Sequence, residues 1–455
     1  MGAGGPDDRA LRPSWLRSER PIPRRLLRPL QQFLETEHAG GLVLLVGAVA
    51  ALAWANSPWA HTYRSFWHTE LRVELGPWSL SHDLREWVND ALMVLFFFVV
   101  GLEIKRELVT GELRGPRRAA LPALAAAGGM LVPALLYVAF NPPGTEAFRG
   151  WGIPMATDIA FAVGVLALVG RGVPGGLKAF LLALAIVDDI GAIAVIALFY
   201  SGPIAWPALV AAGGLLGTVA LLRELQVRHT VVYVALGVGV WLATLQSGVH
   251  ATIAGVALGL LTPAVPFQRP RAVREEAERV AVAVQDRPWP ADADAHRWLR
   301  LGALAREAVS PVARLETLLH PWTSFVVVPV FALANAGVSL SPSAARQALT
   351  DPVALGVMVG LVVGKPVGII LAAWLGVRAG LARLPAGVRW SQVAGAGAVA
   401  GIGFTVSLFI AELAFVTESA TEVAKVGILS ASVVASLLGW AVLRAARGAA
   451  PGPPL

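Results

Sequence analysis

The chain reads as an all-α, polytopic membrane protein, and three observations carry that reading. Apolar runs recur twelve times, at about 40–56, 87–102, 119–140, 151–170, 179–200, 204–222, 230–246, 249–266, 322–338, 353–376, 392–415 and 424–443. Of 455 residues, 56% are hydrophobic and only 15% charged, with a mean hydropathy of +0.65, whereas a soluble domain has roughly a quarter of its residues charged. Two of the runs, the fourth and the eleventh, are interrupted by glycine and polar residues: GWGIPMATDIAFAVG (150–164) and GAGAVAGIGFTVSLFIAE (395–412). An even number of spans puts both termini on one side.

Charge decides which side. The net charge of +7 suggests a nucleic-acid partner only until its distribution is read. Of 37 Lys and Arg residues, 30 fall in alternate segments, six in the opposite ones, and Lys365 inside a span. That asymmetry is the positive-inside pattern and places both termini in the cytoplasm, with no role for nucleic acid. The first 36 residues carry seven arginines and no apolar run resembling a signal core, so residues 1–36 are expected to be a cytoplasmic arm near anionic lipid. Residues 37–446 form the membrane domain and 447–455 a cytoplasmic tail. With no cysteine, disulfides, thiolate nucleophiles and Cys-ligated metal centres are excluded.

Between the first two spans, Leu71, Val73 and Leu75 alternate with polar residues up to Gly76-Pro77, and Trp78 and Leu80 continue beyond. The stretch 71–82 reads as an external hairpin, or as an irregular loop with interfacial tryptophans; a hairpin edge could pair two protomers as a homodimer. The second span ends GLEIKREL, which sets Glu103 and Glu107 on one helix face at i and i+4 beside Lys105 and Arg106. Residues 267–312, with four prolines and mixed charge, read as a cytoplasmic insert, partly helical and partly a solvated linker.

The fifth span, AFLLALAIVDDIGAIAVIALFY, sets Asp188 and Asp189 at the centre of 22 residues, roughly 30 Å of helix, the thickness of a hydrocarbon core. Each carboxylate at that depth costs about 2.5–3.5 kcal/mol on insertion scales, so the pair reads as a working site that meets water, a cation or a proton. The fourth span adds Thr157 and Asp158 after Pro154, the tenth adds Lys365 (LVVGKPVGII), and the eleventh adds Thr405 and Ser407 after Gly401 and Gly403. Broken helices in corresponding positions of two halves point to a midplane binding site. Neighbours on a helix point about 100° apart, so one of Asp188 and Asp189 is expected to meet Lys365 and the other to join Asp158 and Thr157 around a hard cation such as Na+ or Li+. Proton and cation then compete for one site, which at an alternately exposed site is antiport.

The runs ATDIAFAVGVLALVG, LALAIVDDIGAI, SGVHATIAGV, FALANAGVSL, VGKPVGI and GIGFTVSLFIA, in this order, resemble the NhaA-type Na+/H+ antiporter family over residues 37–446. The resemblance implies a fold of inverted repeats with two crossed, interrupted helices (spans 4 and 11) among about 12 transmembrane helices. It implies electrogenic export of Na+ or Li+ against entering protons, with no further cofactor. It assigns cation binding to Asp158 and Asp189 assisted by Thr157, proton exchange to Asp188 as the partner of Lys365, and pH response to Glu103, Arg106, Glu107, His250, Glu316 and His320. Asp158 would also offset positive half-helix ends and Lys365 negative ones. Two departures bear on pH response: Thr317 stands where relatives often have histidine, and the insert 267–312 lengthens the adjoining loop.

Three rival functions share parts of this pattern. An aspartyl protease dyad needs carboxylates that face each other, which helix neighbours do not. The GLVVGK run ending at Lys365 has three residues between its glycines, is followed by Pro366 and lies in a span, so it is no phosphate loop. A Na+-coupled solute symporter is the remaining alternative, since broken helices serve both transport classes.

Overall fold

The computed structural model describes residues 39–446 except 76–77, 171–172, 285–291, 342–345 and 347–349. The arginine-rich arm, the tail, the Gly76-Pro77 turn and the middle of the insert lie outside the described residues.

Every apolar run forms a helix over most of its length, but the helices differ in reach. Seven are long and apolar enough to cross a membrane: α3 (Leu84–Val109), α4 (Pro116–Phe140), α6 (Gly175–Phe199), α7 (Trp206–Glu224), α12 (Pro311–Asn335), α13 (Pro352–Arg378) and α16 (Glu418–Ala445). Three bent pairs bring the number to ten when each counts as one span. These are α1 (Ala39–Ala55) with α2 (Ala60–Trp67), bent by 116°; a 3-10 helix (Glu146–Met155) with α5 (Ile159–Val169), bent by 44°; and α14 (Trp390–Ala400) with α15 (Phe404–Ala414), bent by 45°. Two apolar helices are shorter, α8 (Thr230–Gln246) and α9 (Thr252–Leu261). The apolar run at 249–266 is helical only to Leu261 because Pro263 forces Thr262 into an extended conformation (ψ 134°).

Small residues set how closely these helices approach. At the crossing of α4 and α13 a Cβ on Gly128 would lie 2.3 Å from the Gly368 carbonyl oxygen, and one on Gly368 would lie 2.1 Å from that of Gly128. Only glycine fits there, the packing expected where lipid offers no hydrophobic drive for association. The peripheral helices α7 and α8 present apolar faces outward, with Val210 70% and Val231 79% exposed. In water such faces would be a liability; in a bilayer they meet the solvent they match.

The expected hairpin is present. β1 (Glu70–Leu75) and β2 (Trp78–Asp83) pair antiparallel with Val73 opposite Leu80 and Leu71 opposite His82. Within the insert, α10 (Pro270–Val284) and α11 (Asp292–Glu307) are helical, and α10 is laced by the Arg271–Glu275 and Arg274–Glu278 ion pairs, each at i and i+4. The ends of the insert close on each other, the Gln268 N–H donating to the Glu307 carbonyl (3.0 Å), and Arg228, ahead of α8, ties them to the bundle by pairing with the Glu307 carboxylate. The arginine beside Glu307 lowers that carboxyl below its usual range.

Candidate functional site

Two of the three bent pairs, the one broken after Met155 and the one broken after Ala400, meet at their breaks, and the site is built on that meeting. After Met155 the chain runs through Ala156, Thr157 and Asp158 before α5 begins; after Ala400 it runs through Gly401, Ile402 and Gly403 before α15 begins. Pro154 and the two glycines account for the interruptions. The backbone groups freed there bond across the gap. The Asp158 N–H donates to the Ile402 carbonyl (2.6 Å), Ser407 Oγ donates to the Ile153 carbonyl (2.8 Å), and Thr157 Oγ1 lies 2.9 Å from the Ala400 carbonyl. Gly401 is required by close approach, since a Cβ there would lie 2.4 Å from the Leu361 carbonyl oxygen.

Asp158 sits where two helices begin. Its Oδ1 accepts from the Phe161 N–H (3.1 Å) in the first turn of α5, and its Oδ2 accepts from the Thr405 N–H (3.1 Å) and Thr405 Oγ1 (2.6 Å) in the first turn of α15. A carboxylate capping two helix N-termini is favoured by both macrodipoles. Thr405 was legible in the sequence as a polar residue of the eleventh span; its bond to Asp158 was not.

Lys365 is wholly buried and performs the converse task. Its ammonium donates to the Met155 carbonyl, at the C-terminal end of the 3-10 helix, and pairs with Asp188 Oδ2 at 2.7 Å. A π-turn at Gly360–Gly364 precedes it and rotates the lysine relative to the helix that leads in. Asp188 Oδ2 also lies 2.7 Å from Thr157 Oγ1. Thr157 therefore bonds to the carboxylate on Lys365; the break at 156–158 lets its side chain turn toward α6.

Asp189, one residue on, turns the other way. It is 7% exposed, makes no hydrogen bond or ion pair to another described residue, and lines a cavity of about 140 Å³ together with Thr157, Asp158 and Thr405. Glu103 and His320 line the same cavity. Beside it Arg106 pairs with Glu316 and lies 3.8 Å from Glu107, whose carboxylate accepts from the Glu112 N–H (2.9 Å). Glu103 and His320 thus line the cavity, and Arg106, Glu107 and Glu316 form a charged cluster close to Glu103. His250 does not join them: its Nε2 lies 3.1 Å from the Tyr200 carbonyl, beyond the C-terminal end of α6. Thr317 is exposed, with its hydroxyl on the Ala313 carbonyl (2.8 Å).

A bundle of apolar helices with two breaks bonded to each other, and with three buried carboxylates and one buried lysine at that junction, defines an ion-transporting membrane protein. The profile of the Na+/H+ antiporter 1 family matches residues 31–443. The Na+/H+ antiporter NhaA 2 of Sorangium cellulosum (strain So ce56) is 49% identical over 436 residues, covering 95% of this chain and 92% of the relative. The Na+/H+ antiporters NhaA of Acidovorax sp. (strain JS42) and Rhodopirellula baltica are 48% and 47% identical, each over 92% of this chain and over 93% and 94% of the relative respectively. The chain belongs to the Na+/H+ antiporter 1 family, a family of transporters and not of enzymes.

Proposed function

We propose that this chain is a secondary, electrogenic antiporter that exports Na+, or Li+ in its place, in exchange for protons, and so serves sodium and pH homeostasis. The observation that carries the reading is Asp189, a buried carboxylate with no bonding partner among the described residues, which shares its cavity with Asp158. Carboxylate and hydroxyl oxygens suit a hard monovalent cation. Asp189 and Asp158 would hold it, and Thr157 would assist once released from Asp188. A proton on Asp189 and a cation beside it exclude one another. Lys365, by parting from Asp188, gives a second place where a proton exchanges, so that more protons enter than Na+ leaves. Glu103 and His320, which line the cavity, with Arg106, Glu107 and Glu316 close to Glu103, would make the site's occupancy respond to pH; His250 would act separately.

The same reading fixes the architecture. Adding α8 and α9 to the ten spans gives twelve, with the bent pairs of spans 4 and 11 as crossed, interrupted helices of two inverted repeats. Both termini, residues 1–36 and 447–455, and the insert 267–312 lie in the cytoplasm of a bacterial inner membrane, as the distribution of Lys and Arg supports. The β1–β2 hairpin, with Leu71 and Val73 exposed, offers an edge through which two protomers pair.

In everted vesicles energised by respiration, added Na+ or Li+ should collapse the pH gradient with no organic solute present. Persistence of the gradient with both ions in correctly inserted protein would exclude antiport, and a collapse that requires an organic solute would identify symport. Asp189→Asn should abolish the response; full activity would remove Asp189 from the site. Because protons leave the site as pH rises, the apparent KM for Na+ should fall with pH, by about tenfold per unit for each competing proton while the site is mostly protonated. A KM that does not move with pH would rule out competition.

A further inference from the structure

The inner carboxylate–lysine pair, Asp188 with Lys365, has a counterpart that the transport reading does not use. Glu412, near the end of α15, pairs with Lys425 of α16, and the two side chains are 16% and 5% exposed. The pair lies on the face of α15 that continues away from the ion site. Seven residues separate Thr405 from Glu412, which is two helical turns, so both project from nearly the same side, and Phe409 lies between them. Phe409 packs against Phe97 of α3 (ring centroids 5.2 Å) and against Phe331 of α12 (6.2 Å).

Helix α3 repeats that order. Glu103 lines the cavity, Phe97 is in the aromatic cluster, and Arg85 stands near the helix start, roughly 27 Å from Glu103 at 1.5 Å per residue. Arg85 lies close enough to Lys425 and to Tyr63 for its charge to be felt by both, and its Nε is buried without a hydrogen-bond partner. Two helices thus present the same order of features: a residue that lines the cavity, a ring of the aromatic cluster and a charged side chain, Glu412 on α15 and the half-buried Arg85 on α3. Both charges lie at the end of their helix away from the cavity.

We propose that Glu412 and Lys425 form an outer latch. By tying α15 to α16 the pair holds Phe409 against Phe97 and Phe331, and the passage from the ion site to the outer face stays shut until the pair separates. Glu412 and Lys425 are positioning residues: neither touches the cation in the state seen here, and each acts through Phe409. The proposal rests on the antiport reading for its direction, outward being the side opposite Glu103.

The chain has no cysteine, so a single introduced thiol reports on access. Leu408→Cys, fully buried on the same face between the site and the latch, would be labelled with a membrane-impermeant cationic thiosulfonate in right-side-out and in everted vesicles. Labelling from outside should be slow in the Leu408→Cys parent and at least tenfold faster when Glu412→Gln or Lys425→Gln is added. The exchange Glu412→Lys with Lys425→Glu should restore the slow rate, which general damage to folding would not do. Unchanged labelling in both single variants, or an exchange variant labelled as fast as the singles, would overturn the latch. Acceleration seen only in everted vesicles would leave the latch standing and overturn the orientation.

Discussion

At the break between Met155 and Ile159 the chain carries a hydroxyl and a carboxylate; at the break between Ala400 and Phe404 it carries two glycines and an isoleucine. The bends are almost equal, 44° and 45°, yet the first supplies side-chain chemistry and the second supplies space and backbone. Asp158 caps α5 and α15 together, so one charge satisfies the N-termini of both broken helices. The second break, with no charge of its own, can afford to be shaped only by close packing against Leu361. The difference teaches that the two arms fail differently: the first through electrostatics, the second through sterics.

The largest expected effect breaks the comparison on its charged side. Asp158→Asn keeps the shape but removes the charge from hydrogen bonds worth about 1.5–3 kcal/mol each when charged, so apparent Na+ affinity should drop by about 10- to 100-fold in everted vesicles. An unchanged KM would mean that the two N-termini and the cation do not depend on this charge. A smaller effect is expected on the steric side. Gly401→Ala puts a Cβ 2.4 Å from a backbone oxygen that cannot swing aside, an overpacking of about 1–3 kcal/mol. The melting temperature in detergent should fall while the apparent KM of the surviving protein stays close to that of the parent; a KM change as large as that of Asp158→Asn would erase the distinction between the arms. The smallest effect lies outside both breaks. Thr317→His, on the exposed face of α12 one residue past Glu316, should shift the pH profile and leave Na+ affinity at saturating pH unaltered; an unaltered profile would deny this position any part in sensing.

Much of this site was legible before any coordinates, and the reason is the bilayer. In a medium that penalises charge, Asp158, Asp188, Asp189 and Lys365 stand out because nothing else at that depth resembles them. The resemblance set Asp158 against positive half-helix ends and Lys365 against negative ones; in the fold Asp158 accepts from the N-terminus of α15 and Lys365 donates to the Met155 carbonyl. Less legible was span length: the run at 249–266 looks continuous in apolarity, and Pro263 cuts its helix short. Nor does the sequence show where His250 lies: the resemblance links it to pH response, and the fold sets it on the Tyr200 carbonyl, apart from Glu103 and His320.

By itself the sequence determined the membrane setting, the helical runs, the positions of the breaks and the identity of the charges at the ion site, though not the buried Glu412–Lys425 pair, because hydropathy and the properties of proline, glycine and aspartate are local. The tertiary structure alone decided which charge meets which partner. A helical period tells that Asp188 and Asp189 point apart, but only packing assigns Asp188 to Lys365 and Thr157, leaves Asp189 open to the cavity, brings Thr405 onto Asp158 across 247 residues, and joins Glu412 to Lys425. Contacts between distant segments are set by how whole helices cross, and no local rule contains that.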